Sequence, residues 1–205
     1  MHRTAIKLCG MMSPADIAAA NLLLPEYVGF VFYPPSHRNV SVAQAMAMRA
    51  ALKPSIQAVG VFVDAPVPLM AKLVRDGVID IIQLHGHEDN AAIEAVRAAA
   101  GCPIWQAVRL RTGDDAERAN RSAADLVLLD GGLGEGKRFD WSLCARVGRP
   151  FFLAGGLDAD NARDAVRALR PAGVDVSSGI ESNGRKDADK MRRFVQTVRS
   201  ADERS

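Results

Sequence analysis

LVLLDGGLGEGKRFDWSLCARVGRPFFLAGGL, residues 126–157, holds one complete strand-helix-strand unit, and the architecture follows from reading it. Its two apolar runs, Leu126–Asp130 and Phe151–Ala154, are short and almost free of polar residues, as strands buried on both faces of a parallel sheet are. Trp141–Val147 reads as the crossover helix that parallel neighbours require. Working outward, further runs predict strands at Ala5–Cys9, Tyr27–Phe32, Gln57–Val63, Val78–Leu84, Ile104–Val108 and Val174–Ser177. Amphipathic segments between them predict helices at Pro14–Leu24, Val42–Leu52, Pro68–Arg75, Glu88–Ala100, Asp114–Arg121, Asn161–Arg170 and Asp187–Ser200. Ser13 before Pro14 and Asp16 gives the first helix a cap, a first-turn proline and an acid near its positive end.

Eight such units are the number that closes a sheet into a barrel filled by its own side chains, so the expected fold is α/β, a single-domain (β/α)8 TIM barrel with short loops. An open doubly wound sheet is the runner-up. With 205 residues, 48% of them hydrophobic, the chain makes one core and leaves no length for a second domain. The expected domain is therefore 1–205, with a frayed polar tail at 201–205.

Twenty-six Lys and Arg against 24 Asp and Glu give a net charge of +2 without basic blocks, so no nucleic-acid partner is expected. No apolar run approaches ~18 residues, and MHRTAIKLCGMMSPAD meets a glycine, a proline and an acid before any signal-like stretch develops, so no membrane segment or leader is expected. Cys9, Cys102 and Cys144 have neither metal-ligand nor redox spacing, which suits a reducing cytoplasm. Cys102 and Cys144 are assigned to packing or surface positions.

In a barrel of this kind the reacting groups stand at the carboxyl ends of the strands. Those ends carry Cys9, Arg38 in the following loop, Asp64, His85, Arg109 and Asp130, and the last two strands run into Gly155-Gly156 and Ser177-Ser178-Gly179. Either glycine loop alone is an ordinary turn. Both together, after the last two strands, match the place where such barrels cradle phosphate on backbone N–H groups, so Gly155, Gly156, Ser178 and Gly179 are the expected phosphate-binding residues. His85, His87 and Glu88 lie adjacent in one turn without a clear further ligand, and no metal is expected.

Taken in order, KLCG, GFVFYPPSHRNV, VGVFVD, IQLHGHE, LLD, GEGKRFDW, AGGLDADN and VDVSSGIE resemble the phosphoribosylanthranilate isomerase family over nearly the whole chain. The resemblance implies an Amadori rearrangement of N-(5-phosphoribosyl)anthranilate in tryptophan biosynthesis, without an organic cofactor because the substrate's own protonated imine is the electron sink. It implies Cys9 as base and Asp130 as acid, with Arg38 holding the anthranilate carboxylate through its planar guanidinium fork. His85 and Asp175 match family positions near the pocket, their separate roles open. Read alone, Cys9 is a small buried apolar residue and Asp130 a turn residue; the ordered set points to chemistry.

A free thiol titrates near ~8.5 and a free aspartic acid near ~3.9, so each needs its surroundings to shift it. Strand alternation puts Lys7 on the face of Cys9, making it the candidate cation and a further pocket residue. The sequence departs from the family pattern at Glu135, where a small hydroxyl residue is usual although Gly134 and Gly136 remain, and at Ala154, where serine is common.

The expected partner is a small phosphorylated substrate, and the chain is a monomer or a homodimer. Three rivals remain. Indoleglycerol-phosphate synthase needs lysine and glutamate at strand ends. A dual-substrate isomerase that also serves histidine synthesis pairs two aspartates, against which Cys9 argues. A non-catalytic barrel that binds a phosphometabolite is the reading from another class.

Overall fold

Alternating side chains along each strand force a parallel sheet to bury both faces, one against helices and one against itself, and closure meets both demands. The computed structural model describes residues 3–131 and 141–203. Strands β1 (Ala5–Cys9), β2 (Tyr27–Phe32), β3 (Gln57–Phe62), β4 (Ile81–Leu84), β5 (Ile104–Arg109), β6 (Leu126–Asp130), β7 (Phe151–Ala154) and β8 (Gly173–Val176) pair in sequence order. β1 then pairs β8 through Lys7 and Asp175, closing the barrel and excluding the open sheet. Helices α1 (Pro14–Leu23), α2 (Val42–Ala51), α3 (Val67–Arg75), α4 (Asn90–Ala100), α5 (Gly113–Arg121), α6 (Ala162–Leu169) and α7 (Ala188–Asp202) surround it.

Two cores result from the alternation. Ile6, Leu8, Val28 and Phe30 face outward and pack with Ile17, Met48, Phe194 and other helix residues. Inside, Tyr27, Trp105 and Phe152, from strands that are not neighbours, meet with ring centroids 4.8, 5.8 and 5.1 Å apart. These contacts cross the lumen and plug it with apolar surface. The same parity on β1 turns Lys7 and Cys9 inward.

Local chemistry sets the boundaries. Ser13 Oγ accepts the Asp16 amide while the Asp16 carboxylate accepts those of Met12 and Ser13, the reciprocal cap that starts α1. The apolar run at Val78 predicts a strand three residues before β4 begins. Gly77 (φ +69°) ends α3 in the left-handed region, and the Gly77 and Val78 amides return to Val74 O and Leu73 O. That is a Schellman cap, so the buried Val78 belongs to the end of α3.

Trp141–Arg146 forms a 3₁₀ turn instead of the expected α-helix, with Val147 N donating to Cys144 O. So short a segment makes too few bonds to carry an α-helical nucleus. Residues 201–202 are not frayed: α7 continues through Asp202, Ala201 is buried, and the Asp202 carboxylate accepts from Thr4 N (3.0 Å) and Thr4 Oγ1 (2.6 Å). A hairpin that the sequence reading did not foresee follows β8: β9 (Glu181–Ser182) and β10 (Arg185–Lys186) turn through Asn183 and Gly184, both at positive φ. Cys144 is buried in the core and Cys102 is half-buried. No described helix is long and apolar enough to cross a membrane.

Candidate active site

The inward turn of β1 carries Lys7 to a position where its ammonium has no exposed surface and lies 2.9 Å from Asp175 Oδ1 on β8. Burying an ammonium is costly unless it is paired, and Asp175 with the neighbouring Cys9 more than offsets the cost: desolvation pulls the Lys7 pKa down, but these two partners leave it raised. Lys7 therefore stays charged beneath the thiol, where it is shielded from direct contact with a ligand in solution. Gly29 on β2 provides the room, because a Cβ there would come within 2.7 Å of Cys9 Sγ and 3.3 Å of Lys7 Nζ.

The net effect on Cys9 differs from the expected one. Burial raises the thiol most, and Asp175 adds to it; Lys7 and Lys186 pull it down without winning. Cys9 sits above its ordinary range as a protonated thiol, because two cations do not offset a dry pocket that also holds a carboxylate.

Asp130 ends β6, and His85, in the residue after β4, brings Nε2 to 3.4 Å from Asp130 Oδ2. His85 remains 40% exposed, so this contact lies at the mouth. Arg109 stands opposite Asp130 in the β5–β6 register. Deeper in the barrel wall, Gln83 Oε1 is buried without a partner among the described residues. His87 and Glu88 are taken up in a latch: the His87 ring reaches Asp64 Oδ2 at 2.9 Å, and Glu88 accepts from the Asp64 and Gly86 amides. Among the described residues no group of His, Cys, Asp and Glu could hold a metal ion.

Arg38 has a partner that the sequence reading missed. Its Nε and Nη2 donate to Glu181 Oε1 and Oε2 at 2.7 and 2.8 Å, and Lys186 Nζ donates to the same carboxylate at 2.6 Å. The two cations hold Glu181 far below the usual carboxylate range, at about 2, although burial opposes them. Lys186 also donates to Ser177 O at 3.0 Å. Gly10 at φ +76° allows this packing, since a Cβ there would lie 2.7 Å from Arg38 Cδ and 3.4 Å from Lys186 Nζ. Glu181 closes the VDVSSGIE motif; the signal for its role was a lone carboxylate sharing a loop with a lysine.

The loops after β7 and β8 touch each other. Gly155 and Gly156 adopt φ +86° and +64°, and a Cβ at Gly179 would lie 1.9 Å from Leu157 O. Among the described residues, neither the Gly155 nor the Gly156 amide donates to a backbone acceptor. Asn161, also missed, braces the first loop by donating to Gly156 O at 2.8 Å and accepting from Asp158 N. Ser178 opens a three-residue 3₁₀ turn with Gly179 at its centre. Gly134, Glu135 and Gly136 lie outside the described residues.

The family model for N-(5'-phosphoribosyl)anthranilate (PRA) isomerase matches residues 6–197. The chain belongs to this family. It is 38% identical to the PRA isomerase of Acetivibrio thermocellus, with 97% of each chain covered, and 39% identical to that of Lacticaseibacillus casei, covering 95% of this chain and 94% of that one. The crystal structure of the Thermus thermophilus PRA isomerase superposes with a TM-score of 0.86 at 32% identity, covering 96% of this chain and 99% of the other. A PRA isomerase in complex with reduced 1-(o-carboxyphenylamino)-1-deoxyribulose 5-phosphate superposes at 0.84 and 31% identity, with the same coverage.

Proposed function

We infer that this PRA isomerase family member converts N-(5-phosphoribosyl)anthranilate to 1-(2-carboxyphenylamino)-1-deoxyribulose 5-phosphate, with Asp130 as general acid and Cys9 as general base. The observation that carries this reading is the meeting of four strand ends at one pole of the barrel: a thiol on β1, a carboxyl on β6, and glycine loops after β7 and β8.

Asp130 gives a proton to the ribose ring oxygen as the C1–O bond breaks, and the anilino nitrogen lone pair forms the C=N bond of a protonated imine. Cys9 removes the proton from C2, the released electron pair neutralises the imine as an enolamine, and tautomerisation gives the ketone. No net proton is taken up. A thiol beside a carboxylate holds the same number of protons as the working pair of thiolate and carboxylic acid, and one transfer interconverts them. The imine cation that forms beside Cys9 favours thiolate at the moment it is needed, adding to the pull of Lys7 and Lys186.

The remaining residues bind and orient. The amides at Gly155, Gly156, Ser178 and Gly179 take the phosphate, Arg38 takes the anthranilate carboxylate, and His85 contacts the substrate beside Asp130. Asp175 fixes the ammonium of Lys7 under the thiol, so both belong to the pocket floor. Three free cysteines suit a reducing compartment, and we place the protein in the cytoplasm.

The test is loss of phosphoribosylanthranilate fluorescence on adding the purified protein. Rapid loss is the expected result, with no turnover of the aminoaldose of histidine synthesis. Turnover of that second aldose would establish a dual isomerase, and binding without turnover would establish a silent barrel.

A further inference from the structure

Arg38 presents five N–H donors, and Glu181 takes one from Nε and one from Nη2. Among the described residues nothing accepts from Nη1, so the end of the guanidinium keeps a second parallel fork, the geometry that grips a carboxylate. The Glu181 side chain is 7% exposed and the Lys186 side chain 1%, which makes them a built support and not a chance surface contact. Arg38, Glu181 and Lys186 together carry two positive charges and one negative. The surplus of one positive charge matches one incoming carboxylate. Lys186 is itself fixed from three sides, by Glu181, Ser177 O and Ser177 Oγ, while Ser177 Oγ donates to Cys9 O. The hairpin of β9 and β10 thus ties the guanidinium to the end of β1.

We propose that Glu181 and Lys186 are positioning residues that select a carboxylate-bearing aromatic amine: Glu181 clamps one edge of Arg38 and leaves the other for the substrate, and Lys186 cancels the charge of Glu181 so that Arg38 keeps its own. The proposal rests on the reading of Arg38 as the site of the anthranilate carboxylate. An unclamped arginine would spend rotamer freedom on binding, and an uncompensated Glu181 would repel the ligand it helps to receive.

Two ligands test it by equilibrium titration: reduced 1-(o-carboxyphenylamino)-1-deoxyribulose 5-phosphate and its analogue lacking the ring carboxylate. Glu181→Gln should weaken the first by about tenfold, the scale of one charge-assisted bond, and leave the second unchanged. Arg38→Ala should weaken the first at least as much, and adding Glu181→Gln to it should do nothing more. In turnover, Glu181→Gln should raise KM and leave kcat within about threefold.

Equal weakening of both ligands by Glu181→Gln, or additivity with Arg38→Ala, would overturn the positioning role while leaving the reading of Arg38 intact. An Arg38→Ala variant that discriminates the two ligands as wild type does would overturn that reading and the proposal with it. If Glu181→Gln does not fold, the pair Glu181→Gln/Lys186→Met removes both buried charges together and carries the same expectations, including the unchanged affinity for the analogue.

Discussion

Two ammonium groups flank Cys9, and its thiol still holds a proton, because desolvation and Asp175 outweigh Lys7 and Lys186. This direction fixes the pH dependence. If Cys9 and Asp130 are the acid-base pair, the working form in the free enzyme is reached by moving one proton from Cys9 to Asp130. The profile of kcat/KM should then be flat through neutral pH, falling on the acid side where the pair takes up a second proton and on the alkaline side where Cys9 loses its proton outright. With the folded thiol pKa raised, the alkaline limb lies above the ordinary ~8.5 of a free thiol. A pH–rate profile measures it, and a rate that climbs steadily through pH ~8 would show instead that thiolate formation activates the enzyme. Lys7→Met removes the largest downward pull on the thiol and leaves Asp175 facing an apolar chain. We expect the thiol to titrate still higher by its ultraviolet absorbance, kcat to fall tenfold or more, and stability to drop by about 3 kcal/mol in denaturant melts.

Among the elements, the loops after β7 and β8 are held in contact by the missing side chain of Gly179, whose place Leu157 O fills. Gly179→Ala must push the two loops apart, since the obstacle is backbone. Its affinity for inorganic phosphate, read by calorimetry, should fall about tenfold, with a lower melting temperature. Elements of this kind were legible in the sequence where one local signal dominates. Apolar runs placed β1, β2, β6 and β7 to the residue, and the Ser13 cap placed the start of α1. Where two signals overlap they misled: Val78 reads as strand because it is apolar, yet Gly77 has already committed it to a helix cap. Candidate site residues on strand ends were legible by position, since the fold fixes which end faces a ligand. Glu181, Lys186 and Asn161 were not, because their roles come from partners far along the chain or from a turn with no apolar pattern to mark it. The charge state of Cys9 was equally hidden: alternation shows that Lys7 shares its face, but only the depth of burial decides which influence wins.

At the scale of the whole molecule, the barrel is fastened at its seam by its two ends. β1 pairs β8, Asp202 at the end of α7 grips Thr4, and Arg199 donates to Thr4 O while pairing with Glu26, which accepts from Ile6 N. Asp202→Asn keeps the shape and loses the charge in two hydrogen bonds, and we expect it to cost about 1–2 kcal/mol in a denaturant melt, with turnover under saturating substrate unchanged. A loss of turnover without a loss of stability would mean that the seam governs the mouth directly. Closure matters for the proposed function because it sets the ends of β1 and β6 around one mouth, the arrangement that the proposed acid-base pair requires. The most direct measurement is the rate of fluorescence loss from phosphoribosylanthranilate with wild type, Cys9→Ala and Asp130→Asn side by side. Each variant should lose ~10²–10⁴-fold in kcat while still binding the reduced product analogue; a variant that keeps the wild-type rate would contradict the acid-base pair.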